Sequence, residues 1–286
     1  MTHPVKGVDH VFLMVEDLDR SAELYRRLGF TLSPKGLHSA AKGTANYTLM
    51  FPEDYMELLG IVTPTEGNAP RRAALAREGE GLRAVACRID DAEAAKTALA
   101  GLGIATGEVG HFERPVPLPG GETGRAAFST VAFAEEELPF GIVFMCQHRT
   151  RETVWLPELL THPNRACGLA EIVAQSADPE AATQRLARLY AHGRVTPAEG
   201  GFRVETGPAS APILCLTGSA LAGYFPGIEL SAVPAEGFAG LALHSEDIAA
   251  TAACLAAAGL SPVRTARGIA LAPSDCAGAV LEFRQR

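Results

Sequence analysis

Four times along the chain an apolar run leads through an aspartate into a segment with helical patterning that usually stops at a glycine. The copies are GVDHVFLMVEDLDRSAELYRRLGF (7–30), GLRAVACRIDDAEAAKTALAGLGI (81–104), GLAEIVAQSADPEAATQRLARLY (168–190) and GFAGLALHSEDIAATAACLAAAGL (237–260). In the first, Val, Phe, Leu and Met suit a buried strand. Asp17 or Asp19 then starts a helix whose Leu18, Ala22, Leu24, Tyr25 and Leu28 recur at three- and four-residue intervals, and Gly29 ends it. Asp90 and Asp91 play the capping part in the second copy and Ser245 or Asp247 in the fourth. In the third, Asp178 precedes a Pro179 placed where its missing N–H costs little. Recurrence at comparable spacing implies one repeated supersecondary unit.

Strand-like runs punctuated by turn residues follow each helix. ANYTLMF, PEDY and YMELLGI read as a hairpin in the first copy; GRAAFSTVAFA with FGIVFMCQH, APILCLTG, and GIALAPSD with AVLEFRQ serve the others. Each copy is therefore a βαβββ unit, and the fold class is α+β. The units fall at about 7–62, 81–148, 168–217 and 237–286, giving a first domain at 1–148, a linker at 149–167 and a second domain at 168–286. The linker holds Trp155, the only Trp, which is expected to pack between the domains. Residues 192–212 read as a long polar loop containing one hairpin, and the PGGETG stretch at 119–124 as a turn lacking the strand-to-helix context of a phosphate loop.

Composition narrows the partners. The 286 residues are 47% hydrophobic and 20% charged, as in packed proteins. A formal charge of -8, with no Lys/Arg stripe, argues against nucleic acid. No apolar run approaches the roughly 20 residues of a membrane span, and the first residues show no secretory pattern, so no membrane and a cytoplasmic location are expected. The six cysteines form no CxxC pair and read as reduced, mostly buried thiols.

Two polar residues stand in apolar runs: His10 in the first strand and Glu57 in YMELLG. Each needs a partner if buried. A shared metal or substrate meets that need, and so does a direct hydrogen bond between them. Glu282 in VLEF follows the same logic, but Glu171 opposite it would repel it unless one is protonated or a cation intervenes; exposure of one is the simpler expectation.

Paired βαβββ units opening on GVDHVFLMVEDLDRSAELYRRLGF and carrying DYMELLG resemble the vicinal oxygen chelate superfamily, and within it the glyoxalase-like domain proteins. FMCQHRTRETVWLPELLTHPN (144–164) is similar to the same subgroup. The resemblance implies two glyoxalase-like domains with cup-shaped mixed sheets, and a divalent metal (Fe, Mn, Zn, Ni or Co) held by inward residues of strands one and four of each module. It places His10 and Glu57 there, sets Ala84 and Phe144 at the matching positions of module two, and leaves His148 as a substitute third ligand. Cys146 and His148 share the strand face of Phe144.

Glu57 and His148 are the candidates for catalysis. His38, Asn46, Arg114 and Gln147 are the candidates for contact with a small-molecule ligand, Arg114 lying in a Pro/Gly-rich loop where a surface position is expected. In the second domain Glu171 and Glu282 take the places of His10 and Glu57, and His244 follows Gly240 on the same face. The resemblance implies a lyase, isomerase or dioxygenase acting on a small oxygen-rich substrate. The alternative is a metal-free protein that binds or sequesters a small molecule. Whether the modules pair within or across halves is open, and a homodimer is admissible.

Overall fold

The computed structural model describes residues 2–286. Its first half runs β1 (Val8–Val15), α1 (Leu18–Arg27), β2 (Gly36–Leu37), β3 (Thr44–Met50), β4 (Tyr55–Ile61), α2 (Ala69–Glu78), β5 (Gly81–Arg88), α3 (Ala92–Gly101), β6 (Gly110–Pro117), β7 (Thr123–Ala132) and β8 (Ile142–His148). These strands form one eight-stranded sheet in the order β2-β3-β4-β1-β5-β8-β7-β6. The second half repeats the plan with β9 (Ala166–Gln175), α4 (Pro179–Ala187), β10 (Arg194–Ala198), β11 (Gly201–Glu205), β12 (Ile213–Leu216), α5 (Gly218–Tyr224), β13 (Gly237–Ser245), α6 (Ile248–Ala257), β14 (Val263–Arg264), β15 (Ile269–Leu271) and β16 (Val280–Gln285). Its order is β10-β11-β12-β9-β13-β16-β15-β14. Modules pair within each half, through the antiparallel contacts β1–β5 and β9–β13.

The helix starts follow local chemistry. Asp17, Asp91, Asp178 and Asp247 each accept a backbone N–H of the first turn, which satisfies donors that a helix leaves unpaired. The expected hairpin within 192–212 is the pair β10–β11.

Three elements were not foreseen. Residues 69–78 form α2, and α5 lays Leu221 and the following Phe225 into an apolar cluster with Val173, Leu214, Ala239 and Val280. The segment carrying Arg114 is not a loop but β6, at the sheet edge, where Pro115 and Pro117 remove donors that no further strand would use. Trp155 does not bridge the halves: its indole donates to the Phe51 carbonyl at 2.9 Å and its ring lies edge-on to Tyr55 and His148, all in the first half.

A single apolar cluster joins the backs of both sheets. It holds Val11, Leu13 and Tyr25 together with Ile172, Leu241 and Phe283. Phe30 stacks on Phe283 with ring centres 6.1 Å apart, and the Tyr25 hydroxyl donates to the Cys276 carbonyl at 3.1 Å. Among the described residues no helix is long and apolar enough to cross a membrane.

Asp54, in the β3–β4 turn, also ties the halves, accepting the Leu169 N–H at 3.0 Å. Burial pushes its carboxyl from the ordinary 3.8 up to about 7, against the opposing pull of the Leu169 N–H and Arg88. The folded state thus holds this proton where the unfolded chain has lost it, so stability present below pH 4 is lost as pH rises through 7. The cost at neutral pH is on the order of 4 kcal/mol. Asp54→Asn keeps an accepting oxygen and carries no charge. The stability gap between variant and parent should move in the variant's favour, by a few kcal/mol, between pH 4.5 and 7.5. Urea midpoints measure it, and parallel pH profiles would remove the assignment.

Candidate functional site

Strand register fixes the site. His10 pairs with Ala86 and Phe12 with Ala84 across β1 and β5, so the two-fold relation between modules puts Ala84 at the counterpart of His10. Phe12 lies beside Glu57 on β4 as Ala86 lies beside Phe144 on β8, so Phe144 is the counterpart of Glu57. Module one alone supplies polar groups at these four positions.

His10 and Glu57 face each other inside the first cup, His10 Nε2 standing 3.8 Å from Glu57 Oε2, with both side chains buried. Asn46, on β3, donates its amide to Glu57 Oε1 at 2.9 Å. The His10 ring stacks on Tyr55, centres 4.2 Å apart, which leaves it little freedom to turn.

Behind His10 sits Asp9, which sequence reasoning passed over. Strict alternation sends it to the opposite face from His10, but the β1–β5 register slips between Val8 and His10, and the extra residue re-aims its side chain. Asp9 Oδ1 accepts from His10 Nδ1 at 2.7 Å and from His148 Nε2 at 2.9 Å. Burial alone would raise the Asp9 carboxyl, but the His148 and His10 imidazoles outweigh it and hold it far below the usual carboxylate range. A carboxylate only accepts, so His10 carries a proton on Nδ1, and in the neutral ring Nε2 presents its lone pair to the cup. Cys146 lies close by: donor atoms of Asp9, His10, Cys146 and His148 fall within 4.8 Å of one another, a group able to hold a metal ion. Burial, with Asp9 and Glu57, pushes the Cys146 thiol well above its ordinary range.

The cup encloses about 210 Å³ between Glu57 and a rim that carries His38, Lys42, Arg71 and Arg114. His38 bonds Thr44 Oγ1 at 2.8 Å through Nδ1, and burial pushes its imidazole down to about 4, partly offset by Glu57. Arg114 is not at the surface but 9% exposed. Phe12, Phe112, Phe128 and Phe144 form the apolar walls.

Not every expected residue joins this cup. His148 is hydrogen-bonded to Asp9, not to His10, and borders an outer hollow with Arg88 and Arg151. Gln147 does not line the cup: its side-chain amide oxygen Oε1 accepts the Ala92 N–H at 3.1 Å at the start of α3, consistent with its place between Cys146 and His148 on the alternating strand.

The second cup has the same register and different contents. Glu171 pairs with Ala242 as His10 does with Ala86, and Glu282 lies beside Ala242 on β16 as Phe144 lies beside Ala86. Glu282 thus stands at the Phe144 position and not, as expected, at that of Glu57, which Leu214 takes, while Gly240 stands at that of Ala84. Neither carboxylate is exposed as expected; both are 0% accessible. The intervening cation is Arg284, whose Nη2 lies 2.8 Å from Glu171 Oε2 and 2.7 Å from Glu282 Oε2. Tyr224 also donates to Glu171, and Arg267 stands 3.3 Å from Glu282. Arg203 approaches Glu171 Oε1 at 2.5 Å as an ion pair whose N–H vectors miss the oxygen. His244 makes none of these bonds; burial, with Arg286 and Arg284, lowers its pKa.

Comparisons agree with this architecture. A hypothetical protein from Staphylococcus aureus superposes with a TM-score of 0.67 at 13% identity, over 98% of this chain and 99% of that one. A mutant 4-hydroxymandelate synthase from Streptomyces coelicolor gives 0.57 at 16% identity, over 92% and 77%. A xylose isomerase-like TIM barrel/4-hydroxyphenylpyruvate dioxygenase fusion protein gives 0.58 at 14%, over 100% of this chain and 49% of that one. At such identities the likeness is one of fold. No curated protein matches. Residues 8–190 match the family described as glyoxalase-like domain, well over half of the chain, and so the protein belongs to the glyoxalase-like domain family.

Proposed function

We propose that the first cup holds a divalent metal between His10 and Glu57, and that the chain is a metal-dependent enzyme of lyase, isomerase or dioxygenase type acting on a small oxygen-rich organic molecule. The observation that carries this reading is the 3.8 Å between His10 Nε2 and Glu57 Oε2. That is too long for a hydrogen bond. Two ligand atoms each about 2.0–2.2 Å from one tetrahedral ion stand roughly 3.3–3.6 Å apart, so a shift of a few tenths of an ångström would bring this pair onto one ion. Imidazole and carboxylate together fit Fe, Mn, Zn, Ni or Co. The support behind them is that of a metal-binding histidine: Asp9 fixes the His10 tautomer and Asn46 orients Glu57. By contrast, the 2.7 and 2.9 Å contacts of Asp9 are hydrogen-bond lengths, shorter than the roughly 3.3 Å between ligands of one tetrahedral ion.

A bound metal would supply Lewis-acid chemistry toward two neighbouring substrate oxygens. With a metal bound otherwise, Glu57 would instead serve as the base that moves a proton, and in either case the phenylalanine walls would exclude water.

The test is metal content after purification without chelator. About one ion per chain is expected, with His10→Ala and Glu57→Gln each losing most of it. Absence of stoichiometric metal, together with no saturable uptake of added Zn, Mn or Fe, would overturn the proposal. Ala84 and Phe144, which offer no ligand, favour the second reading, a metal-free binding protein. Ligand binding that survives both metal removal and His10→Ala would establish it.

A further inference from the structure

Arg114 is the group for which the fold offers no internal use. Nine-tenths buried, its guanidinium makes no hydrogen bond and no ion pair among the described residues, and its Nε is sealed from solvent without a partner. Buried charges are otherwise paired, as Arg284 is in the second cup. The backbone makes room for it: a Cβ on Gly36 would lie 2.6 Å from Arg114 Cζ. Asn46 Oδ1 is likewise buried and unpartnered in the same cup. Across the opening, the Lys42 ammonium sits 3.5 Å above the centre of the Phe112 ring, again with no carboxylate partner. Arg71 stands at the mouth. Against these three cations the cup lining offers one acid, Glu57.

We propose that the first cup binds a small organic anion, its carboxylate or phosphate seated on Arg114 and Lys42 and its planar apolar body lying against the stacked pair Phe112–Phe128 and against Phe144. This rests on reading the cup as a ligand site and leaves open whether a metal shares it. A guanidinium matches either oxyanion through two parallel N–H bonds, and the desolvated cup strengthens both. The enclosed volume of about 210 Å³ lies below the range of drug-sized sites and restricts the body to about one ring.

Chelator-treated protein titrated calorimetrically with benzoate, phenyl phosphate and benzamide tests this apart from the metal. At least one anion should bind tenfold or more tighter than benzamide, and which one wins identifies the acid group. Arg114→Met and Lys42→Met should each weaken that anion at least tenfold and leave benzamide within twofold. A structural arginine loses stability on removal, whereas an unpaired one does not, so Arg114→Met should melt at or above the parent temperature. Equal affinity for benzamide and both anions, no saturation by either anion in the millimolar range, or anion affinity unchanged in Arg114→Met would overturn the proposal. The metal reading survives any of these results.

Discussion

Arg284→Met is expected to destabilise the protein by about 3–5 kcal/mol, because it leaves two fully buried carboxylates facing each other without the cation between them. Arg203 reaches only Glu171 and Arg267 only Glu282, so neither bridges the pair. Glu171 and Glu282 hold the Arg284 guanidinium protonated against the burial that opposes it. Removing the charges together is another matter: replacing a whole buried network with groups of similar shape is often neutral. The triple variant Arg284→Met, Glu171→Gln, Glu282→Gln should therefore recover most of the loss. Urea unfolding at pH 7 measures both. A single variant within 1 kcal/mol of the parent would show that the carboxylates find another counter-charge.

The second large effect is expected at Asp9. Asp9→Asn preserves volume but can no longer accept from both imidazoles as an anion, so the His10 tautomer is unfixed. Loss of such a supporting carboxylate typically costs 10–100-fold in metal affinity. Competition against a coloured chelator reads this directly, and affinity within twofold of the parent would remove Asp9 from the site. Cys146→Ala separates two placements of the ion. With ligands at His10 and Glu57 it leaves affinity within threefold, whereas a metal held in the cluster of Asp9, His10, Cys146 and His148 loses a ligand.

What could be read from the sequence was whatever local patterning encodes. The four strand–Asp–helix starts and the β3–β4 hairpin follow from periodicity and capping within some twenty residues, and the counterparts Ala84 and Phe144 from the family resemblance. What escaped depends on distance or irregularity. Asp9 needs the register slip to turn it toward His10. Arg114 was misplaced because two prolines suggest a loop, and only the edge position of β6 makes them compatible with a strand. The Glu171–Arg284 pair spans 113 residues, and no local pattern foretells that a guanidinium will neutralise both carboxylates. The short α5, without a charged residue, gave no amphipathic stripe to recognise.

The one-sided content of the first cup has a stereochemical consequence. Its two modules are related by a pseudo-two-fold axis, and two identical halves would admit a bound molecule equally well either way round. Here His10 and Glu57 come from one module and Arg114 from the other, so the interior has a head and a tail. A planar molecule pinned at both ends presents one face to His10 and Glu57 and the other to the opposite wall, and any bond made or broken there acquires a handedness set by the protein.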